Sequence, residues 1–229
     1  MVKPDPDACN NPRWQRRPTE RRREILDAAV MVFGAEGYDG ATIAAVAARA
    51  GVSSGTVLNY FGSKEELFEA VLQARFLAGL VETEALIATH QGSYRDLLHL
   101  ILTRKWRHLM ERETADLVLV GLAKARTMPG ATSLMCQDMG LRFRRLLSGV
   151  LSAGAAQGEF TVRNPELEAR VMGSALAGLM LELTHFSRFD AARPDADALL
   201  AQYLELVDRA LGVPAAPAQR AEPDGSAAT

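Results

Sequence analysis

Cysteine is nearly missing from this chain, with Cys9 and Cys136 the only two in 229 residues. Such a pair makes no disulfide framework, and its spacing matches no metal site. Cys136 lies among Leu134, Met135 and Met139, which favours burial over a redox-sensing thiol. Long apolar runs are also missing. Charged or polar groups break every stretch before membrane-spanning length, and MVKPDPDACNNP has no apolar signal-peptide core. No Gly-x-Ser-x-Gly, P-loop or dinucleotide fingerprint occurs, and His90, His99, His108 and His185 show no His-Glu-x-x-His spacing. Glu182 and His185 share one helix face and read as an ion pair. A formal net charge of −2 excludes a surface coated in basic residues, so any nucleic-acid contact must be a local patch. No strand alternation or internal repeat appears. The absences leave an all-α, cytoplasmic protein that is not an enzyme and calls for no metal and no cofactor.

What is present begins with arginine. Arg13, Arg16, Arg17, Arg21, Arg22 and Arg23 crowd the approach to a first helix that Thr19 can cap and that runs to about Glu36. Residues 1–18 read as a disordered basic arm, either a solvated tail or a device for neutralising phosphates. Ile25, Leu26, Ala29, Val32 and Phe33 form the stripe of that helix.

The segment Gly40 to Leu67, GATIAAVAARAGVSSGTVLNYFGSKEEL, carries most of the information. Thr42 can cap a helix whose Ile43, Val46 and Ala47 face inward. Gly51 stands where the chain must leave that helix through a left-handed conformation. Ser53 then caps a second, short helix from Ser54, and Ser63-Lys64-Glu65-Glu66 spells a capping box for a long third one. This is a helix-turn-helix over 42–61, suited to placing its second helix in a major groove. Phe33, Tyr38, Ile43, Val46, Val52, Val57, Phe61, Leu67 and Phe68 are its expected core.

Gly40, Thr42, Ile43, Ala44, then Ala50-Gly51-Val52-Ser53, Gly55-Thr56, Tyr60-Phe61, Ser63-Lys64-Glu65 and Leu67 resemble the DNA-binding region of TetR-family transcriptional regulators. The family often carries Tyr and His where this chain has Leu58 and Asn59. The resemblance implies an N-terminal three-helix helix-turn-helix domain over 19–79 and a larger helical effector-binding and dimerisation domain over 80–212, followed by a disordered tail at 213–229. It implies a homodimeric repressor that binds a palindromic double-stranded operator and is released by a small-molecule effector. Thr42, Ser53, Ser54, Thr56 and Lys64 are expected to touch phosphates, with Gly55 allowing close approach. Thr56 and Asn59 are expected to read bases, and Tyr60 to touch the backbone. The alternative is a small-molecule-binding or adaptor protein on the same scaffold without DNA binding, favoured only by Leu58 and the modest charge.

Beyond the long helix, which is expected to reach His90, further helices are expected over 94–111, 114–126, 131–157 and 165–186, with a last one ending near Leu211. The 165–186 helix is apolar nearly all round, so either its own protomer or a partner must cover it. The resemblance implies a dimer, with Val171, Leu179, Leu183, Leu200, Tyr203, Leu204 and Val207 as candidates for a four-helix contact. Methionine and aromatic residues between 76 and 180 can line an adaptable pocket or form a dry core, and core is the better default. The resemblance implies an inducer cavity there, with Phe76, Trp106, Met110, Met135, Met139, Phe143, Leu176 and Met180 as candidate lining.

Overall fold

The computed structural model describes residues 12–133, 139–186 and 194–213, with the backbone alone at 12–17, 132 and 133. Among them the chain is all-α. Three helices open it: α1 Pro12–Gly40, α2 Ile43–Ala50 and α3 Ser54–Phe61. Next come α4 Lys64–Thr89, α5 Tyr94–Met110, α6 Arg112–Lys124 and the short α7 Pro129–Ser133. The chain continues with α8 Leu141–Ala156, α9 Pro165–Leu181, a π-helical turn Glu182–Phe186 and α10 Ala196–Ala210.

One boundary departs from the periodicity. The first helix starts at Pro12, not Thr19, so the described part of the basic arm is helical. The Trp-Gln-Arg-Arg and Glu-Arg-Arg-Arg runs are good helix formers, and Pro18 removes one N–H from the ladder without ending it. At its other end the helical backbone breaks at Gly37, whose φ of 68° only glycine adopts cheaply. Of the single helix expected over 131–157, the described parts are helical: α7 runs to Ser133, and a π-helical turn at 139–140 leads into α8. Residues 134–138, with Met135 and Cys136, lie outside the described residues, as do 1–11 and 214–229.

Helices α1, α2 and α3 close over the start of α4. Phe33, Val46, Val57, Phe61, Leu67 and Phe68 are buried there, and Tyr38, Ile43 and Val52 pack at the edge. Phe33 and Phe68 meet edge-to-face at 4.9 Å, with Tyr38 on Phe68 at 5.3 Å. Each fully buried phenylalanine contributes about 2–3 kcal/mol from area alone.

In the larger half α5 is central. Its Leu97, Leu98, Ile101, Leu102, Trp106 and Leu109 are buried against α4, α6, α8, α9 and α10. The carboxylate of Asp208 anchors α10 to α5, accepting from Arg95 at 2.6 Å and lying 2.7 Å from His99 Nε2. Burial alone would raise the Asp208 pKa, but the bonds from Arg95 and His99 hold it below its usual value. Tyr203 donates to the Met172 carbonyl at 2.9 Å, tying α10 to α9. The two halves meet where α1 lies on α6. A methyl group at Gly34 would touch Asp116 at 3.5 Å, and Lys124 Nζ holds the Asp39 carboxylate at 2.5 Å.

Candidate nucleic-acid interface and ligand cavity

Local chemistry sets the geometry of α2 and α3. Thr42 Oγ1 accepts the Ala45 N–H at 3.1 Å, fixing where α2 starts. Gly51, at φ 66°, turns the chain out of the helix while its N–H reaches the last carbonyls of α2. Ser53 Oγ accepts the Thr56 N–H at 3.1 Å and shares a 2.9 Å hydrogen bond with the Thr56 hydroxyl. Val57 and Phe61 point into the core, leaving Ser54, Gly55, Leu58 and Asn59 exposed along the outer face of α3. That outer face is short, mostly small and free of acidic groups. It can approach a phosphate wall closely and offers the Asn59 amide to a base edge.

The other expected contact residues separate by environment. Ser53 and Thr42 are exposed but occupied as caps, while Thr56 and Tyr60 are half-buried. Lys64 is turned inward: its Nζ donates to the Ala41 carbonyl at 2.7 Å and lies 4.5 Å from the centre of the Tyr38 ring. It therefore fastens the α1–α2 link first, and only its remaining N–H groups are available to a phosphate. Tyr38 has its pKa raised, mainly by burial and then by Glu65, Asp39 and Glu69, so its phenol stays neutral. Only half of the expected capping box forms. Ser63 Oγ accepts from Glu66 N–H at 3.0 Å, but the Ser63 N–H donates to Phe61.

Positive charge reaches α3 from α1. The Arg22 guanidinium lies over the Phe61 ring at 5.0 Å, while Arg21 and Arg23 pair with Glu24 and Asp27 on their own helix. Arg49, in the last turn of α2, is exposed. The N-termini of α3 and α4 add their partial positive charge beside these side chains.

A second candidate site lies in the larger half, a cavity of about 440 Å³ between α4, α5, α6, α8 and α9. Phe76, Met139 and Phe143 line it as expected. Trp106, Leu176 and Met180 do not; they are fully buried core residues on the inward sides of α5 and α9. Met110 packs against the core outside this lining, at the end of α5. Aliphatic residues missed by a search for methionine and aromatics complete the walls, among them Leu80, Leu109, Val118 and Leu122. Lys105 is there too, with Arg144 and Arg170. The sequence held one signal for it: Lys105 falls in the buried stripe Leu98, Ile101, Leu102, Leu109, where a charge is out of place.

His185 does not pair with Glu182; its Nε2 lies 3.2 Å from the Ala115 carbonyl. Among the described residues no group of three or more His, Cys, Asp or Glu could hold a metal, and no helix is long and apolar enough to cross a membrane.

A family model described as bacterial regulatory proteins, tetR family, matches residues 25–71. The HTH-type transcriptional repressor AcnR of Corynebacterium glutamicum is 35% identical over 82 residues, 35% of this chain and 44% of that one. The chain thus spans less than half the length of that relative. The HTH-type transcriptional regulator BetI of Escherichia coli O139:H28 is 32% identical over 168 residues, 70% of this chain and 78% of that one. A TetR-family regulator from Mesorhizobium loti superposes with a TM-score of 0.71 at 24% identity, covering 85% of this chain and 96% of that one. A transcriptional regulator from Saccharomonospora viridis, solved in complex with choline, gives 0.72 at 18% identity over 83% and 96%.

Proposed function

The chain belongs to the TetR family of bacterial regulatory proteins, and on that premise we propose that it is a homodimeric, sequence-specific DNA-binding repressor released from its operator by a small molecule. The observation that carries this reading is the exposed, acid-free face of α3, held proud of the molecule by the Thr42 and Ser53 caps. Ser54 and Arg49, with Arg22 behind them, meet phosphates; Asn59 and Thr56 read base edges through the major groove. Lys64 contributes mainly by holding the α1–α2 link that presents α3.

Two copies suit the task, because paired reading heads roughly 34–36 Å apart enter successive major grooves on one side of a duplex. Support for a partner comes from α9 and α10, where Leu167, Val171 and Leu206 are 55%, 60% and 57% exposed. Leu183, Leu200, Tyr203 and Val207 are buried in their own protomer. The dimer face is therefore narrower than the sequence implied: Val171, with half-buried Leu179 and Leu204, remains from that expectation, joined by Leu167 and Leu206.

Release follows from the route between the sites. Val118 and Leu122 of α6 line the cavity, and Lys124 at the end of the same helix grips Asp39 next to α2. A ligand that fits better when α6 is displaced shifts the population toward a form whose reading heads are wrongly spaced. The choline-bound neighbour supports small-molecule binding by this fold, not a choice of ligand. The test is fluorescence anisotropy with DNA from the chain's own upstream promoter, using a scrambled duplex as control. Equal affinity for both duplexes refutes sequence-specific regulation and favours the adaptor alternative.

A further inference from the structure

The ligand cavity holds a lysine that makes no ion pair with an acidic side chain among the described residues. Lys105 extends from the apolar stripe of α5, and its Nζ faces the rings of Phe143 at 5.2 Å and Phe76 at 5.8 Å. Ring faces attract a cation but supply no counter-ion for it. Burial is the influence felt by this ammonium, and it pushes the pKa down from 10.5 to about 8, so the group still carries its charge at neutral pH. His108, one turn further along α5, packs edge-on against the same Phe76 ring at 6.2 Å, and its buried Nε2 has no hydrogen-bond partner among the described residues. Arg144 and Arg170 add two more cations to the lining, and none of its described residues is acidic; Glu82 and Glu111 belong to the adjoining hollow on the other side of Lys105.

We infer that this cavity takes an anionic amphiphile, an apolar body carrying one oxyanion head, and that Lys105 is the counter-ion of that head. The inference rests on the ligand-released regulator reading but concerns only the chemistry of the ligand. A carboxylate on Lys105 gives this ammonium a charge-assisted hydrogen bond, among the strong kinds a protein offers. The rest of such a molecule lies against Leu80, Leu109, Val118 and Leu122, and about 440 Å³ is within the range of small-molecule sites. A cationic ligand would meet Lys105, Arg144 and Arg170, with no acidic residue in the described lining to balance them. A neutral one would leave the Lys105 charge without a counter-ion. The arginines also draw an anion inward, an attraction that weakens with salt.

The experiment is calorimetric titration of the full chain at pH 7 with decanoate, decanol and decyltrimethylammonium, which share one tail and differ in head charge. Decanoate is expected to bind at least tenfold more tightly than decanol, and the ammonium not to bind. Lys105→Met keeps the apolar stem, and is expected to weaken decanoate at least tenfold while leaving decanol as tight or tighter; Lys105→Arg restores part of the loss. Binding of decanol or the ammonium as tightly as decanoate overturns the inference. So does the absence of decanoate binding, or equal decanoate affinity in Lys105→Met. Operator release is read separately by anisotropy. If decanoate binds through Lys105 but leaves the operator complex intact, the regulatory reading falls and the anion site stands. Release by a neutral or cationic ligand, with no decanoate binding, gives the converse.

Discussion

Replacing Lys105 by methionine should make the unliganded protein more stable, which is an unusual expectation for a single substitution in a packed domain. The magnitude follows from the site. A lysine whose pKa falls from 10.5 to about 8 on folding loses about 1.4 kcal/mol for each unit, an upper bound of about 3 kcal/mol at pH 7. The two ring faces return about 1 kcal/mol of this. Methionine fills a similar volume with no charge, so the net gain should be about 2 kcal/mol. The sign in pH is definite. The unfolded chain holds this proton more tightly than the folded one, so wild-type stability rises as pH passes from about 8 to 10.5. The advantage of Lys105→Met should therefore be complete below pH 8 and vanish above 10.5. Among the described residues, Arg144 on α8 and Arg170 on α9 share the lining, while Arg75, Glu82, Arg104, Arg107 and Glu111 line the adjoining hollow with His108, whose pKa burial and then Lys105 hold below its usual value. All but His108, whose pKa Lys105 itself lowers, cancel in the difference. Urea unfolding of both proteins at pH 7 and pH 10 measures it. A destabilised Lys105→Met, or an advantage unchanged at pH 10, would refute the account of a charge kept at a cost.

Asn59→Ala should change which operator bases are preferred, by about 1–3 kcal/mol at one position, with little effect on the salt slope; a binding-site selection compared with wild type reads this out. Asp208→Asn should cost about 2 kcal/mol at pH 7 by freeing α10 from Arg95 and His99. Because the Asp208 pKa is held below 3.8, this difference is complete above that value and fades as pH falls through the lower folded one; acid-dependent unfolding of both proteins shows it. Val171→Arg places a charge on the exposed face of α9 and should shift light scattering toward a protomer at micromolar concentration. Lys124→Ala should change stability by under about 1 kcal/mol, because Asp39 is largely exposed, yet reduce decanoate-induced operator release severalfold when both are followed by anisotropy.

The reading unit was legible because its determinants are local. Thr42, Ser53 and Ser63 each cap the helix that follows them within three residues, and Gly51 turns the chain by its own backbone preference. No distant contact is needed to place such signals. Lys64 shows where this stops. Its position in the motif was plain, but its bond to the Ala41 carbonyl depends on α1 and α4 converging, which no local spacing reports. The lining of the cavity was less legible for the same reason, more broadly. Trp106 and Lys105 are neighbours in sequence, and only the placement of α8 and α9 decides that the indole is core and the ammonium faces the hollow. Residue type pointed to the indole, whereas a lysine within an apolar stripe marks the side chain that lines this cavity. On α9 and α10 the apolar character was plain, whereas its division between the protomer's own core and a partner was not.

The placement of α6 gives these observations a common direction. One end of the helix begins near Arg75, whose guanidinium binds Glu111 and reaches Thr114 at 2.9 Å, so that end is fastened to α4. The other ends at Lys124, whose ammonium holds Asp39 and lies 5.6 Å from the Tyr38 ring that Lys64 also covers. Between them, Val118 and Leu122 face the cavity. A ligand pressing on the middle of a rod fixed at one end displaces the other end most, and here that end holds the link from which α2 starts. The contact at the free end is an exposed ion pair and a ring face, worth little in stability and easily remade. That weakness suits a switch: a buried, fully satisfied contact would need more differential binding energy than one small ligand supplies.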